Sequence, residues 1–330
     1  MRGRICYNAS FIGLDNERGK EYKWKKQNLQ GGILWDLHGF SKEGKALYQL
    51  HLVKADTVRA LVPKDLRLVE AFGYTLGGMF LAHYEDSPAG AFDELVTIAG
   101  IVWNPPTSCA WASRVLVSSH EACQHGRKDV GLPSHYASFS KRIDAIETAT
   151  EVKQRSFLNF LGLDRKNDNK QKFVKIEIMD TVTVSSAALC NISIPMTGSE
   201  TNKSWMGPHI RMSLPSFSGN TDDNPHLLKY SCQISCSIRA VEPAKITATD
   251  SLKMSCGNEC QIDDESSSTL ASVDSSNSKN VQLNSSTENE ERQRSISVLL
   301  SKPILALEFN HMTMQVDAPH IVIHKPSKMR

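Results

Sequence analysis

The sequence has almost no net charge and no long apolar run. Its 330 residues include 38 Lys and Arg against 36 Asp and Glu, which gives a formal charge of +2. We therefore predict no nucleic-acid partner, because a basic surface is the usual electrostatic signature of one. The longest mainly apolar stretches, such as Val96–Trp103, fall far below the roughly 18 residues that span a bilayer. No transmembrane segment is predicted either.

Cysteine is too sparse and too scattered for a disulfide-stabilised secreted scaffold, with eight in the whole chain. Cys232 and Cys236 lie in an alternating segment, Leu228–Arg239. In a strand their Cα atoms would be roughly 13 Å apart, beyond the roughly 7 Å limit for a disulfide. We predict a reduced, intracellular protein. The sequence contains no H-E-x-x-H motif, no Walker loop and no strong metal-ligand spacing, so we predict no metal and no cofactor.

The composition divides the chain into three kinds of segment. Residues 1–44 are basic but lack the apolar core of a secretory signal, and we predict an irregular extension. Residues 45–330 form the predicted domain, which is interrupted by a low-complexity loop at 246–294. Within it, residues 263–294 contain nine serines and seven acids but no aromatic residue, which predicts disorder. The acids of the extension disfavour a plastid transit peptide and leave a cytoplasmic location open.

The domain is predicted to be mainly β, a β-rich α+β fold that forms one barrel or sandwich. A short helix is predicted near Asp56, ending before Pro63, and a second within Phe139–Leu161. Apolar or alternating runs predict strands at Ala46–Val53, Tyr74–Tyr84, Leu95–Trp103, Cys109–Ser118, Phe173–Ser185, His209–Leu214, Leu228–Val241, Ile296–Leu300, Ile304–Phe309 and Met312–Val316.

Two acids stand where a turn-rich segment enters an apolar run. Asp93 and Glu94 follow Asp86–Phe92 and directly precede Leu95. A carboxylate at the edge of an apolar strand is desolvated and suited to proton transfer. The alternative is a solvated acid at the start of a strand.

The segment Glu121–Ala137 is the second candidate for a binding site. Its glycines and proline impose irregular backbone, and binding residues concentrate in such loops. Arg127 could grip a carboxylate or carbonyl oxygen, or it could be an ordinary surface charge. Ser134 and His135 are adjacent, so on a strand they point in opposite directions and do not form a nucleophile pair. The alternative for His135 is an ordinary half-buried histidine.

Four motifs carry a resemblance to a known family. Lys45–Val53, Ala60–Leu66, Ser87–Glu94 and Gly126–Pro133 follow the order and spacing of the acetoacetate decarboxylase-like superfamily. The resemblance implies an antiparallel, barrel-like core with few short helices around a small-molecule pocket.

The resemblance also implies which residues bind the ligand. Lys45 stands in place of the pocket arginine, and Glu94 retains the pocket glutamate. Ser134 and His135 occupy the positions where the family has its Schiff-base lysine and the lysine after it. Neither can form a Schiff base, so we do not expect the decarboxylation chemistry of the superfamily.

Longer motifs, including Trp103–Arg114 and Leu214–Gly219, resemble a plant branch of the superfamily. This implies a role in forming neoxanthin, a xanthophyll on the route to abscisic acid, and a plastid location. We expect a non-catalytic accessory protein that binds a small hydrophobic or acidic ligand such as a xanthophyll, together with a protein partner in neoxanthin synthesis. The alternatives are an isomerase or lyase on a xanthophyll or a small keto or hydroxy acid, with Glu94 and His135 as acid and base, or a protein-interaction module that uses the 263–294 loop.

Overall fold

The computed structural model describes residues 25–29, 32–36, 41–104, 107–147, 170–180, 188–196, 207–248 and 289–322. Within these residues the helices are short, and none is long and apolar enough to cross a bilayer. They are α1 (Ala55–Arg59), α2 (His120–His125), a π-helical turn (Gly126–Val130) and α3 (residues 289–299). The strands are β1 (Lys25–Leu29), β2 (Gly32–Asp36), β3 (Ser41–Lys54), β4 (Tyr74–Asp86), β5 (Phe92–Asn104), β6 (Thr107–Val117), β7 (Ser134–Glu147), β8 (Lys170–Asp180), β9 (Ala188–Pro195), β10 (His209–Gly219), β11 (Leu227–Val241), β12 (Lys245–Ala248), β13 (Lys302–Val316) and β14 (His320–Ile321).

Seven strands close into a barrel, in the order β10-β11-β13-β3-β4-β5-β6. Neighbours along this order are antiparallel. A short parallel pairing of β6 with β10, Phe217 opposite Trp111, closes the ring. Because β6 and β10 are joined, neither strand has a free edge where they pair. The prediction of a mainly β, barrel-like core with few short helices is confirmed.

A second sheet covers one side of the barrel. Strand β7 starts parallel to β6 and then continues into an antiparallel sheet with β8, β9 and β12. This sheet and α3 pack against the outer face of β3 to β6, where Leu81 and Leu116 meet Ile178 and Leu299. The apolar outer face of the barrel is thereby buried.

The strands alternate between the interior of the barrel and the covering sheet. On β4, Phe80, Ala82 and Tyr84 belong to the interior cluster, whereas Met79 and Leu81 belong to the outer one. This is the period of two that a strand imposes on its side chains. Consecutive residues on a barrel strand therefore have different surroundings.

The structure corrects two secondary-structure predictions. The predicted helix within Phe139–Leu161 is wrong as far as residue 147, because β7 pairs along its length with β8. The predicted strand Ile296–Leu300 is also wrong, because α3 runs through residue 299. Its buried residues include Arg292, Ser295, Ile296 and Leu299, which have the helical spacing of three and four. Asp56 lies in the first turn of α1, after the N-cap Lys54.

Two segments that were predicted to be irregular contain regular secondary structure. The segment 1–44 is not wholly irregular, because β1 and β2 pair antiparallel and β3 begins at Ser41. Strand β12 and helix α3 extend into the two ends of the predicted 246–294 loop. Residues 249–288 lie outside the described residues.

Candidate functional site

A cavity of about 280 Å³ lies inside the barrel. All seven barrel strands contribute to its walls, which are mainly apolar. A concave, mostly apolar site with a few polar groups is typical of small-molecule binding. One lining residue from each strand is Tyr48, Phe80, Val96, Ala112, Leu214, Ile234 and Met314.

Glu94 is the buried carboxylate of this cavity. It is 7% exposed, and the Tyr84 hydroxyl donates a hydrogen bond of 2.6 Å to its Oε2. Burial raises the pKa of Tyr84 well above its usual value, and the adjacent Glu94 charge raises it further. Tyr84 therefore remains a proton donor and holds the carboxylate in one orientation.

Lys42 supplies a cation to the same end of the cavity. It lines the cavity wall, and its Nζ lies 4.6 Å from the ring centroid of Tyr84 and 5.2 Å from that of Phe92. Such cation–π contacts hold an ammonium group in apolar surroundings. A ligand at this end would meet both a fixed cation and a fixed carboxylate.

Two further polar groups at this end stay neutral. Burial raises the pKa of Cys232 to about 12, although Lys42 opposes the shift. Burial likewise raises the pKa of Tyr230 above its usual value. Both groups line the cavity as hydrogen-bonding groups and not as anions.

His125 lines the cavity from the helical segment that follows β6. Helix α2 begins at the Ser119 cap, whose Oγ accepts from the amide of Ala122. The π-helical turn follows and places Asp129 where its Oδ2 lies 2.7 Å from His125 Nδ1. Sequence reasoning missed this pair, although a spacing of four residues brings side chains together on a helical surface.

Ser134 and His135 lie on opposite faces of β7, as predicted. Ser134 is 2% exposed and lines the cavity. His135 lies on the outer face near Arg114 and Asp180, where burial and then the Arg114 charge lower its pKa to about 4. Its candidate role as acid or base toward a cavity ligand is therefore corrected, because the strand alternation turns its ring away from the cavity.

Two other predicted ligand-binding residues also lie outside the cavity. Lys45 is exposed on the outer face of β3, because Ala46 occupies the inner position. Arg127 is exposed, and its Nε donates a 2.5 Å hydrogen bond to Asp223. The barrel therefore brings together Glu94 and Ser134 of the predicted residues, with Lys42 and His125 added.

The residues that the structure describes contain no group of three or more His, Cys, Asp and Glu placed to hold a metal ion.

Curated proteins of three plants are similar to this chain over most of its length. A protein of Oryza sativa subsp. japonica named NEOXANTHIN-DEFICIENT 1 is 56% identical over 289 residues, which cover 86% of this chain and 89% of the relative. The chain belongs to the Neoxanthin-deficient 1 family. The family members of Solanum lycopersicum and Arabidopsis thaliana are 54% and 50% identical, covering 85% and 87% of this chain and 90% and 93% of their own lengths. No family model matches the chain.

Solved structures that are similar to this Neoxanthin-deficient 1 family member share little sequence identity with it. The acetoacetate decarboxylase of Legionella pneumophila is 12% identical, covers 97% of this chain and 98% of its own, and has a TM-score of 0.45. The enduracididine biosynthesis enzyme MppR with HEPES buffer bound is 9% identical, covers 86% of this chain and 87% of its own, and has a TM-score of 0.46.

Proposed function

We propose that the protein takes part in neoxanthin formation by holding one oxygenated end ring of a xanthophyll in the barrel cavity without converting it. The name of its relatives supports the pathway. The mainly apolar cavity with Lys42 and Glu94 at one end is the observation that carries the binding role. On this proposal it acts beside a protein partner in neoxanthin synthesis, in a plastid.

The size of the cavity favours one ring over a whole xanthophyll. Its volume of about 280 Å³ is near the lower end of the roughly 300–1,000 Å³ of ligand pockets. A xanthophyll is a long C40 polyene with an oxygenated ring at each end. One ring and its methyl groups match the cavity, and the polyene would have to leave it.

The polar groups suit the oxygens of such a ring. Lys42 donates hydrogen bonds, and the Glu94 carboxylate accepts them. A ring hydroxyl can both donate and accept, so it can pair with both side chains. The apolar walls formed by residues such as Ala112 and Ile234 surround the carbon skeleton.

The absence of a nucleophilic amine at the superfamily position supports a non-catalytic role. Ser134 stands where the resemblance implies the Schiff-base lysine, and a hydroxyl cannot form an imine. His135, the next residue, faces away from the cavity.

An enzyme is the second candidate, and the shared cavity of Glu94 and His125 favours it. Conversion of violaxanthin to neoxanthin opens an epoxide and removes a proton from a polyene carbon. One group would protonate the epoxide oxygen and another would accept the carbon proton. An isomerase or lyase of this kind would use Glu94 as acid or base, with His125 oriented by Asp129 as its partner.

Thermal unfolding of the purified protein tests the proposal. Violaxanthin or neoxanthin in detergent should raise the unfolding midpoint, because a ligand that binds only the folded state stabilises it. Ala112→Phe fills the cavity and should abolish the shift. Ala145→Phe makes the same substitution at an exposed position of β7 and should retain it.

Two results would contradict the proposal in different ways. Equal shifts in the Ala112→Phe variant and the wild type would remove the cavity from the binding role. Steady conversion of violaxanthin by the wild type would support the enzyme instead, and Glu94→Gln should then lose that turnover.

A further inference from the structure

We propose that one end of the barrel is a docking surface for an anionic lipid bilayer. The surface consists of large exposed apolar side chains at the end of β3, at the starts of β4 and β13, and in the turn before β4, and we call it the apolar lip. It comprises Leu52, Phe72, Tyr74, Leu76, Ile304 and Leu305, each of them exposed.

The apolar lip is a continuation of the inner face of the barrel. Ala46 and Tyr48 belong to the interior cluster, and Leu50 and Leu52 follow them at every second position of β3. Across the strands, Leu52 pairs with Leu76 of β4, and Leu50 pairs with Leu305 of β13. These side chains therefore lie on one face of three adjacent strands. Further along β3, the side chains on this same face are covered by the interior of the barrel.

Phe72 is the most prominent member of the apolar lip. It is 101% exposed and lies in the turn between Ala71 and Tyr74, with φ of 53° before Gly73 at 78°. Two consecutive positive φ values favour Asn-Gly in such turns, and a phenylalanine is unfavourable there. Its ring is fully exposed, so it is not packed against the residues that the structure describes.

The charges around the apolar lip favour an anionic surface. Residues 50–76 and 300–305 contain five basic and three acidic side chains, a net charge of +2. Asp56 and Glu70 both form ion pairs with Arg59. Lys54 and Lys302 are exposed, and in the sheet they lie opposite Tyr74 and Leu52, respectively. Aromatic rings with nearby lysines are typical of contact with the interface of an anionic bilayer.

An exposed apolar patch of this kind marks an interaction site. The bilayer fits better than a second protein, because a single fully exposed ring at a turn tip can insert between lipid headgroups without a preformed pocket. The purpose of the bilayer contact rests on the proposed function, because a xanthophyll is dissolved in the bilayer and would enter the cavity from there. Tyr48 of the cavity lies on the same face of β3 as the apolar lip.

Vesicle flotation tests the docking surface. The full-length protein should float with vesicles of phosphatidylcholine and phosphatidylglycerol, and less with phosphatidylcholine alone or at high salt. Phe72→Asn should weaken the vesicle affinity by about tenfold, since binding scales with the buried apolar area. Asparagine tolerates the positive φ of this turn, so the unfolding midpoint should be kept or raised.

Ile143→Asp is the matched control for Leu76→Asp. Ile143 is 68% exposed on β7, away from the apolar lip. Leu76→Asp should lose flotation, and Ile143→Asp should retain it.

Three outcomes would overturn the proposal. The first is no flotation of the wild type, and the second is equal flotation of Phe72→Asn. The third is a concentration-dependent dimer without vesicles that Phe72→Asn disperses, which would make the apolar lip a self-association surface.

The xanthophyll-induced midpoint shift is measured in detergent without vesicles. It therefore reports failure of the proposed function separately from failure of docking.

Discussion

The inner and outer faces of the barrel strands carry charged residues in different settings. Glu94 faces the cavity, where the Tyr84 hydroxyl orients it. The preceding residue, Asp93, faces outward and binds His83 and Lys141. One step along the chain thus separates a carboxylate that a ligand can reach from one already engaged in ion pairs.

The outer face also contains a buried ion-pair cluster beneath α3. Arg114 Nη2 donates a 2.5 Å hydrogen bond to Asp180 Oδ2, and both side chains are almost wholly buried. Arg292 of α3 lies 4.0 Å from the same oxygen. This cluster joins the barrel, the second sheet and α3. The comparison indicates that charges on the outer face stabilise the fold, whereas those on the inner face are available to a ligand.

The first prediction tests whether the buried ion pairs on the outer face stabilise the fold, and it has the largest expected change in the free energy of unfolding. Asp180→Asn removes the charge that compensates buried Arg114, and we expect a loss of about 3–5 kcal/mol in the free energy of unfolding. Urea unfolding measures it. Glu290→Gln, in an exposed helical pair with Arg294, should change stability by no more than about 0.5 kcal/mol.

If Asp180→Asn stays folded and still binds ligand in the cavity, the result would support separate roles for the two faces: stability for the outer face and ligand binding for the inner face. A change of less than about 1 kcal/mol would contradict the structural role of the cluster.

The second prediction concerns the pH dependence that His135 imposes. Its pKa in the folded state is about 4, against an ordinary 6.5. Below pH 6.5 the unfolded chain takes up a proton that the folded protein does not. The resulting stability is present above pH 6.5 and is lost as the pH falls toward 4. Between pH 7 and 5 the loss should be about 1–2 kcal/mol.

Urea unfolding of the wild type and His135→Gln at both pH values isolates this contribution, because the other histidines are common to both proteins. The variant should show the smaller loss. If the two proteins respond identically, the buried environment of His135 is refuted.

The third prediction compares the effects of replacing Lys42 and Lys45, two lysines on β3. Lys42→Met and Lys45→Met should each change the free energy of unfolding by no more than about 1 kcal/mol. Only Lys42→Met should weaken xanthophyll binding, by roughly tenfold or more, because a hydrogen bond to a charged group contributes about 1.5–3 kcal/mol. Titration of the midpoint shift measures both affinities. Weaker binding in Lys45→Met alone would reverse the assignment of the faces.

Much of the fold could be predicted from local patterns. The runs at Tyr74–Tyr84 and Leu228–Val241 lie within β4 and β11, because strand formers and turn residues are local signals. Residues 296–299 were misassigned because a short apolar run fits either a strand or a buried helix. The segment after Phe139 was misassigned because its pairing with β8 decides its conformation, and that partner is distant in sequence.

The candidate site was predicted less completely than the fold. Glu94 was found because it follows a turn and begins an apolar run, and Ser134 because it follows an irregular loop. Lys42 was missed, and Lys45 was chosen in its place. Both faces of β3 carry apolar residues, with Ala46 and Tyr48 inside and Leu47 outside, so the alternation alone does not tell which lysine faces inward.

Local patterns in the sequence specify the β-rich class, the turn-bounded strands and the opposite orientation of Ser134 and His135, since these follow from propensity and the two-residue period. Long-range pairing instead closes the barrel where β6 meets β10 and brings Lys42, Glu94 and His125 to one cavity. Those residues come from three separate segments of the chain. Their proximity depends on strand order and register, which long-range pairing sets and no local pattern encodes.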